Sequence, residues 1–388
     1  MDQVLINQVV SEFEKQFKRQ PLLIASPGRI NLIGEHIDYN NGLVFPAAID
    51  KYIVCGIQKN DLQNSRIYSI DKNECIEVDV DAPIKYPSGH WLNYITGIVN
   101  ELNKKNLSIE NFDLAFSGNI PMGSGLSSSA ALENAVVFGL NELFHLKLSK
   151  KEMVQISMQA EHNFAGVQCG IMDQFASMFG TKDHALYLNC NDLSFDDVPI
   201  QLDDFQLVLI NSNVKHEHVD SAYNERRAQS NEGFAVLLKK YPNLSGLCQA
   251  TLEQLATVKD ELSELVYKRC LFAIEENIRV KQAKVALEDK DWKKLGELLF
   301  ASHDGLQNLY EVSCIEIDFL VQKAKENIGV LGSRMMGGGF GGCSINLIKK
   351  DKTANFLNEV KPAFLTQFGH EIDIYMINIT NGTHIIQP

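Results

Sequence analysis

Between Gly28 and Asn40 the chain carries Arg29, Glu35, His36, Asp38 and Tyr39, five charged or titratable side chains in thirteen positions. Pro27, Gly28 and Gly34 exclude a regular helix there. The segment follows the apolar, strand-like run Leu22-Leu23-Ile24-Ala25. Polar groups this dense just after a strand point to a loop that binds a ligand rich in hydroxyls. A solvated turn is the plainer alternative.

The bulk composition narrows the classes of partner. The 388 residues suggest two or three domains at roughly 150 residues each. Hydrophobic content of 45% and charged content of 22% suit a soluble globular protein. A net charge of −13 argues against broad binding to nucleic acid or an anionic membrane. An anionic ligand would have to be held locally, by backbone amides, a metal ion or a few Lys and Arg. The eight cysteines form no CxxC pair and no zinc-like spacing, so reduced thiols in a cytoplasmic protein are expected. The start shows no basic stretch leading into an apolar one, and no apolar run nears the roughly 18 residues that span a bilayer.

Along the chain, Val9, Phe13 and Phe17 predict an amphipathic helix ending by Pro21. Strand-like runs follow at 43–49, 52–58, 66–70, 75–80 and 112–117, with helical spacing over 91–102. Residues 127–144 and 149–164 read as helices, and 185–189 and 206–210 as strands. Charged helical runs dominate from about 215 to 328, broken at Pro242–Gly246 and near Asp291. Strands return at 342–348 and 372–379 around a helix near 353–368. The turn-rich, acidic stretch 191–204 sets the boundary, giving units 1–195 and 196–388.

Further segments carry chemistry. In Gly118-Asn119-Ile120-Pro121-Met122-Gly123-Ser124-Gly125-Leu126-Ser127-Ser128-Ser129-Ala130, glycines and serines crowd the entrance of a helix. Such a turn aims several N–H groups at one anion, aided by the helix dipole. No Lys follows, so it is not a Walker A loop. A plain cluster of capping serines is the alternative. In Glu161–Gln174 two carboxylates, Glu161 and Asp173, flank a glycine-bearing turn. One could hold a metal and the other face a reacting hydroxyl; an N-cap and a surface residue are the plainer readings. Asn213-Val214-Lys215-His216 and Ser221–Arg227 read by spacing as a charged helix face. Five glycines in the six positions 337–342 cost chain entropy unless the backbone needs them. Trp91 reads as a core residue.

Taken together, these segments resemble the galactokinases, a branch of the GHMP small-molecule kinases, over essentially the whole chain. The opening segment is similar to their signature, with Ile37 where members usually have Thr. The serine-rich turn is similar to the central motif. The resemblance implies that Gly123, Ser124, Gly125, Leu126, Ser127, Ser128 and Ser129 wrap the nucleotide phosphates and that Ser129 binds Mg²⁺. It assigns Glu161 to the same Mg²⁺ and Asp173 to the hydroxyl being phosphorylated, with Arg29 between Asp173 and the transferring group. Glu35, His36, Asp38, Gly170 and Tyr223 are implied sugar contacts, and Trp91 is implied near the adenine. The glycine-rich segment resembles the third motif, with Met336 in place of the usual Thr. Ser230 stands where members often have Cys.

The implied fold is α+β in two domains. An N-terminal ribosomal-protein-S5-like α/β domain and a C-terminal ferredoxin-like domain would have the active site in the cleft between them. The implied activity is phosphoryl transfer from ATP to the 1-hydroxyl of α-D-galactose, with Mg²⁺ as cofactor and ATP as co-substrate. No nucleic-acid or membrane partner is implied. Oligomeric state is left open, with a monomer expected. Two rival readings remain: a kinase for N-acetylgalactosamine or arabinose, which shares every motif, and a non-catalytic sensor of galactose and ATP, a kind of protein that lacks part of the Ser-Ser-Ser-Ala run. Ser127, Ser128, Ser129, Glu161 and Asp173 favour catalysis over sensing.

Overall fold

The computed structural model describes residues 2–121, 123–214 and 219–387, without the side chains of residues 219 and 220. Met122 of the serine-rich turn and Lys215 and His216 of the charged segment lie outside the described residues.

The chain opens with the helix Gln3–Phe17, capped by Asp2, which accepts from the Val4 and Leu5 amides. Val9, Phe13 and Phe17 form its buried face, as their spacing predicts. Lys18 turns left-handed and ends the helix before Pro21 is reached.

The next strand, Leu22–Asn31, runs well past its apolar stretch. Leu23 and Ala25 pack under the N-terminal helix, while Ile24 faces the main core, as strand alternation requires. Residues 28–31, read from sequence as loop, pair with the long strand Pro46–Lys59, Arg29 opposite Ala48 and Asn31 opposite Pro46. Backbone pairing keeps this polar segment extended. The register shifts between Pro27 and Arg29, and such a bulge re-aims the side chain beside it.

These two strands centre a six-stranded sheet. From one edge its order is His384–Ile385, Leu22–Asn31, Pro46–Lys59, Phe112–Gly118, Ser65–Ser69 and Glu74–Val78. Only Ser65–Ser69 and Phe112–Gly118 run parallel, and the helix Asn93–Lys104 supplies the crossover such a pair needs. The runs 43–49 and 52–58 largely merge into the one strand Pro46–Lys59. Helices Ser128–Phe144 and Met172–Phe179 cover the sheet face that Ile24 points to.

A small sheet joins Leu43–Val44, His184–Asn189 and Ser194–Pro199. Its last strand lies inside the acidic stretch expected to be boundary. Only Val198 of that strand is fully buried, so its apolar signal is faint. The third sheet is antiparallel, in the order Val330–Met335, Cys343–Lys349, Phe205–Asn211, Asp373–Met376. Val330–Met335 was not anticipated, because Gly332, Ser333 and Arg334 dilute its apolar character. Helices Trp292–Gly305 and Ile315–Glu326 pack on it, and Val219–Lys240 pairs with Glu264–Glu288. The chain then returns to the first sheet: Ile379 bridges to Ile49, and His384–Ile385 adds the edge strand beside Leu22–Asn31.

Phe13 is fully buried among Phe17, Tyr68 and Ala115, where the first helix meets the sheet. Phe13→Ala should cost about 3–5 kcal/mol. Urea unfolding followed by circular dichroism measures it; a loss well below 1 kcal/mol would make this helix peripheral to the fold.

Candidate active site

The bulged end of Leu22–Asn31, the serine-rich turn, the segment around Asp173, the helix Val219–Lys240 and the glycine-rich turn enclose a cavity of about 270 Å³. Arg29, Glu35, His36, Asp38, Glu161, Gly170, Asp173 and Tyr223 all line it. A second, more apolar cavity of about 710 Å³ lies alongside, walled by Ile53, Trp91, Phe116 and Leu132 and by Ser128 and Ser129. Ser129 borders both cavities.

Arg29 and Asp173 make a two-pronged pair in the wall of the smaller cavity. Arg29 Nε donates to Asp173 Oδ1 at 2.7 Å and Nη2 donates to Oδ2 at 2.8 Å. Arg29 Nη1 donates to the Gly125 carbonyl, and Ser127 Oγ donates to Asp173 Oδ2. Burial opposes the Arg29 charge, yet Asp173, Glu35 and Asp38 outweigh it and hold the guanidinium above its ordinary range.

The bulge also seats the serine-rich turn. A side chain at position 28 would have its Cβ 2.7 Å from the Leu126 carbonyl oxygen, so only Gly28 allows this approach. The Arg29 amide donates to that same carbonyl at 3.1 Å. Ser127 stands at the N-cap of Ser128–Phe144 but makes no capping bond, its hydroxyl being spent on Asp173. The plain capping role is thus not what this serine does, and its side chain leaves the first-turn amides uncapped. Ser124 donates to the Pro121 carbonyl at 2.6 Å, and Leu126 is a core side chain. Gly123 borders neither cavity but a third one nearby.

The opening loop turns on itself through Gly34 and His36, both at positive φ. Asp38 begins a short 3-10 turn, Asp38–Asn40. Burial, then the charge of Asp173, push its carboxyl up to about 6. A Cβ at position 170 would lie 1.9 Å from Asp38 Oδ2, so Gly170 is what lets that carboxylate enter the cavity. Ile37 is buried in the core, and so is Met336.

Glu35 is engaged from several sides. Its Oε1 accepts from Arg334 Nη1 at 3.2 Å and from the Gly337 amide at 2.8 Å, and its Oε2 accepts from Asn31 Nδ2 at 3.0 Å. Arg334 also donates from Nε to the Leu32 carbonyl at 2.8 Å and from Nη2 to the Asn31 carbonyl. His36 has both ring nitrogens engaged, Nδ1 with Tyr39 Oη at 2.8 Å and Nε2 with the Gly338 carbonyl at 3.1 Å. The rings of Tyr223 and Tyr310 lie 5.2 and 5.1 Å from it.

Glu161 sits at the start of a π-helical turn, Glu161–Ala165, a feature frequent at functional sites. Gln174 Nε2 donates to its Oε2 at 2.6 Å, and burial followed by the charge of Asp173 push it up to about 7. Ser129 hydrogen-bonds the same carboxyl. Beneath it Glu133 is fully buried and held well above the ordinary carboxylate range, mainly by burial and then by Glu161. Among the described residues no cluster of three or more His, Cys, Asp or Glu is placed to hold a metal. A hydroxyl and one carboxylate beside a phosphate-sized turn nevertheless suit Mg²⁺, which takes most of its ligands from water and phosphate.

Sequence reasoning missed Arg334, Tyr310, Glu133 and Gln174. Arg334 could have been noticed as a lone charge just ahead of Met335-Met336-Gly337. The other three carry no local signal; they matter only for what the fold brings beside them. Trp91 lines the larger cavity, its Nε1 donating to Glu74 Oε2 at 3.0 Å.

The chain is similar to known proteins over nearly its whole length. Family models described as the GHMP kinases N terminal domain and GHMP kinases C terminal match residues 93–181 and 283–365. The galactokinase galactose-binding signature matches residues 11–59. A galactokinase of Clostridium perfringens strain 13 is 40% identical over 97% of this chain and 98% of its own length. One from Thermotoga maritima is 39% identical over 94% of this chain and 99% of its own. The crystal structure of Lactococcus lactis galactokinase complexed with galactose superposes with a TM-score of 0.94 at 36% identity, covering 98% of this chain and all of that one. The mevalonate kinase of Methanococcus jannaschii, at 17% identity and a TM-score of 0.67, shares the fold. The mixed α/β architecture is that of the GHMP kinases, and the chain belongs to their galactokinase family.

Arg334 and Glu35 are both almost wholly buried, so losing one partner strands the other. Arg334→Met should cost about 3–5 kcal/mol, read as a lowered calorimetric midpoint. Adding Glu35→Gln should recover part of it; a double variant no better than the single would show that the charge pairing is not what matters.

Proposed function

We propose that this chain is a galactokinase enzyme that transfers the γ-phosphoryl group of ATP to the 1-hydroxyl of α-D-galactose, giving galactose 1-phosphate. The reading rests on one observation above all. The Arg29–Asp173 pair lines a polar, sugar-sized cavity that shares Ser129 with a larger apolar one. The named relatives support the choice of sugar.

Residues 1–195 would supply most of the sugar and ATP contacts, and 196–388 would close the cleft with Tyr223 and the glycine-rich turn. A cytoplasmic location is expected, and the oligomeric state is left open, with a monomer expected. Among the described residues no helix is long and apolar enough to cross a membrane. Adenine would lie in the cavity beside Trp91. The amides of residues 123–129 would face the phosphates.

Ser129 and Glu161 would hold Mg²⁺, which when bound supplies positive charge against the phosphates. Glu35, Asp38, Gly170 and Tyr223 would hold the sugar. Glu35 Oε2 has capacity beyond its one bond from Asn31. His36 would contribute the side of its ring to the same wall. Asp173 already accepts three hydrogen bonds from Arg29 and Ser127. A carboxylate has roughly four acceptor sites, so one remains for the reacting hydroxyl. In a loose transition state the hydroxyl needs little prior activation. Asp173 would therefore orient it and take its proton late, while Arg29 offsets the charge gathering on the phosphoryl group.

Coupled ADP release across a panel of sugars tests the reading, N-acetylgalactosamine and arabinose included. Galactose should give the highest kcat/KM. Background turnover with galactose and robust turnover with another sugar would reassign the substrate. Asp173→Asn should lower kcat roughly 10²–10⁴-fold while titration still detects galactose binding.

Asp38 gives a proton signature. Sugar hydroxyls donate to its anionic form, and its carboxyl titrates at about 6 in the free protein. Galactose binding near pH 6 should therefore release protons, and affinity should fall as pH drops below that value. Calorimetry in buffers of different ionisation enthalpy measures the release, which Asp38→Ala should abolish while raising the galactose KM steeply. Proton uptake in the wild type would reverse the assignment.

A further inference from the structure

A chain of hydroxyls runs from the back of the sugar cavity to the glycine-rich turn. Ser230, on the helix Val219–Lys240, lies 2.8 Å from Tyr310 Oη. Tyr310 Oη lies 2.9 Å from Tyr39 Oη, and Tyr39 Oη lies 2.8 Å from His36 Nδ1. His36 Nε2 ends the chain on the Gly338 carbonyl at 3.1 Å. Tyr310 is delivered by a second π-helical turn, Leu306–Tyr310. Ser230 and Tyr310 are both fully buried and border neither the sugar cavity nor the nucleotide cavity.

The direction of every proton follows by elimination. A carbonyl only accepts, so His36 Nε2 carries a proton and donates to Gly338. Burial, then the charge of Arg226, hold His36 down to about 4 despite the Gly338 bond, so the ring is neutral near pH 7. Its Nδ1 then accepts, and Tyr39 must donate to it. Tyr39 has no second proton, so it accepts from Tyr310, and Tyr310 accepts from Ser230. Burial keeps both phenols protonated.

We propose that Ser230 and Tyr310 are positioning residues for the sugar site: the one-way relay Ser230→Tyr310→Tyr39→His36→Gly338 fixes the His36 tautomer and pins the glycine-rich turn. Gly338 packs on the Tyr223 ring, where a Cβ at 338 would lie 3.4 Å from Tyr223 Cδ2. Pinning Gly338 therefore sets one wall of the cavity, which both residues line. A loose wall weakens sugar binding first, and the apolar nucleotide cavity is not in contact with the relay. The inference rests on the galactose reading above for its kinetic signature, but not for the tautomer.

Four proteins test it: wild type, Ser230→Ala, Tyr310→Phe and the double variant. Each single change should raise the galactose KM roughly three- to tenfold and leave the ATP KM within about twofold. Once Tyr310 has lost its hydroxyl, Ser230 has nothing to donate to, so the double variant should match Tyr310→Phe. Nitrogen-15 NMR of the wild-type imidazoles should show His36 protonated on Nε2 alone. Unchanged galactose KM with only a lowered melting temperature, additive effects in the double variant, or an Nδ1-protonated His36 would each overturn the relay. Wild type that fails to turn over galactose while keeping the Nε2 tautomer would sink the sugar reading and leave the relay standing.

Discussion

The buried pair between Arg334 and Glu35 is the contact on which the cleft depends. It joins the four-stranded sheet to the loop that leaves the six-stranded one. Two charges this deep are costly to desolvate, and attraction alone seldom repays the cost. Here the remaining hydrogen-bonding capacity is filled as well. Arg334 donates to the carbonyls of Asn31, Leu32 and Met335, and Glu35 accepts from Asn31 and the Gly337 amide. One ion pair thus fixes both the opening loop and the first glycine of the glycine-rich turn. His36, the next residue, fixes the following glycine by its carbonyl. Adjacent side chains hold adjacent glycines through opposite polarity, which gives the turn a single register.

The rest of the site is electrostatically uneven. Asp38, Glu133 and Glu161 are all held above the ordinary carboxylate range, each mainly by burial and then by a neighbouring acid. Arg29 answers Asp173 directly but, among the described residues, reaches no other carboxylate by a hydrogen bond. Perturbation of this kind gathers where a ligand is meant to complete the charge balance. Sugar hydroxyls beside Asp38 and a cation beside Glu161 would do so in the proposed complex.

Much of this was legible locally. Val9, Phe13 and Phe17 announced the first helix, and the glycines and serines from Gly123 to Ser129 announced a turn that opens a second one. Arg29, Asp38, Asp173 and Tyr223 were recognised from their motifs and do line one cavity. Where reading failed, the determining contacts were non-local. Residues 28–31 looked like loop because their polarity masks a strand held by pairing with Pro46–Lys59. Val330–Met335 looked irregular because Gly332, Ser333 and Arg334 interrupt a pattern that the sheet itself enforces.

The sequence by itself determined which chemical groups are available, since periodicity, turn residues and motif spacing are short-range properties of the chain. Only the tertiary structure decided how those groups are spent. Ser127 bonds Asp173 instead of capping its helix, and His36 bonds Tyr39 and Gly338 with its two nitrogens. Tyr310, 271 residues from Tyr39 along the chain, and Ser230 beside it are tied to the site through hydroxyl bonds that no spacing encodes. The reason is physical: a hydrogen bond of about 3 Å depends on distance in space, and folding sets that distance with little regard to separation along the chain.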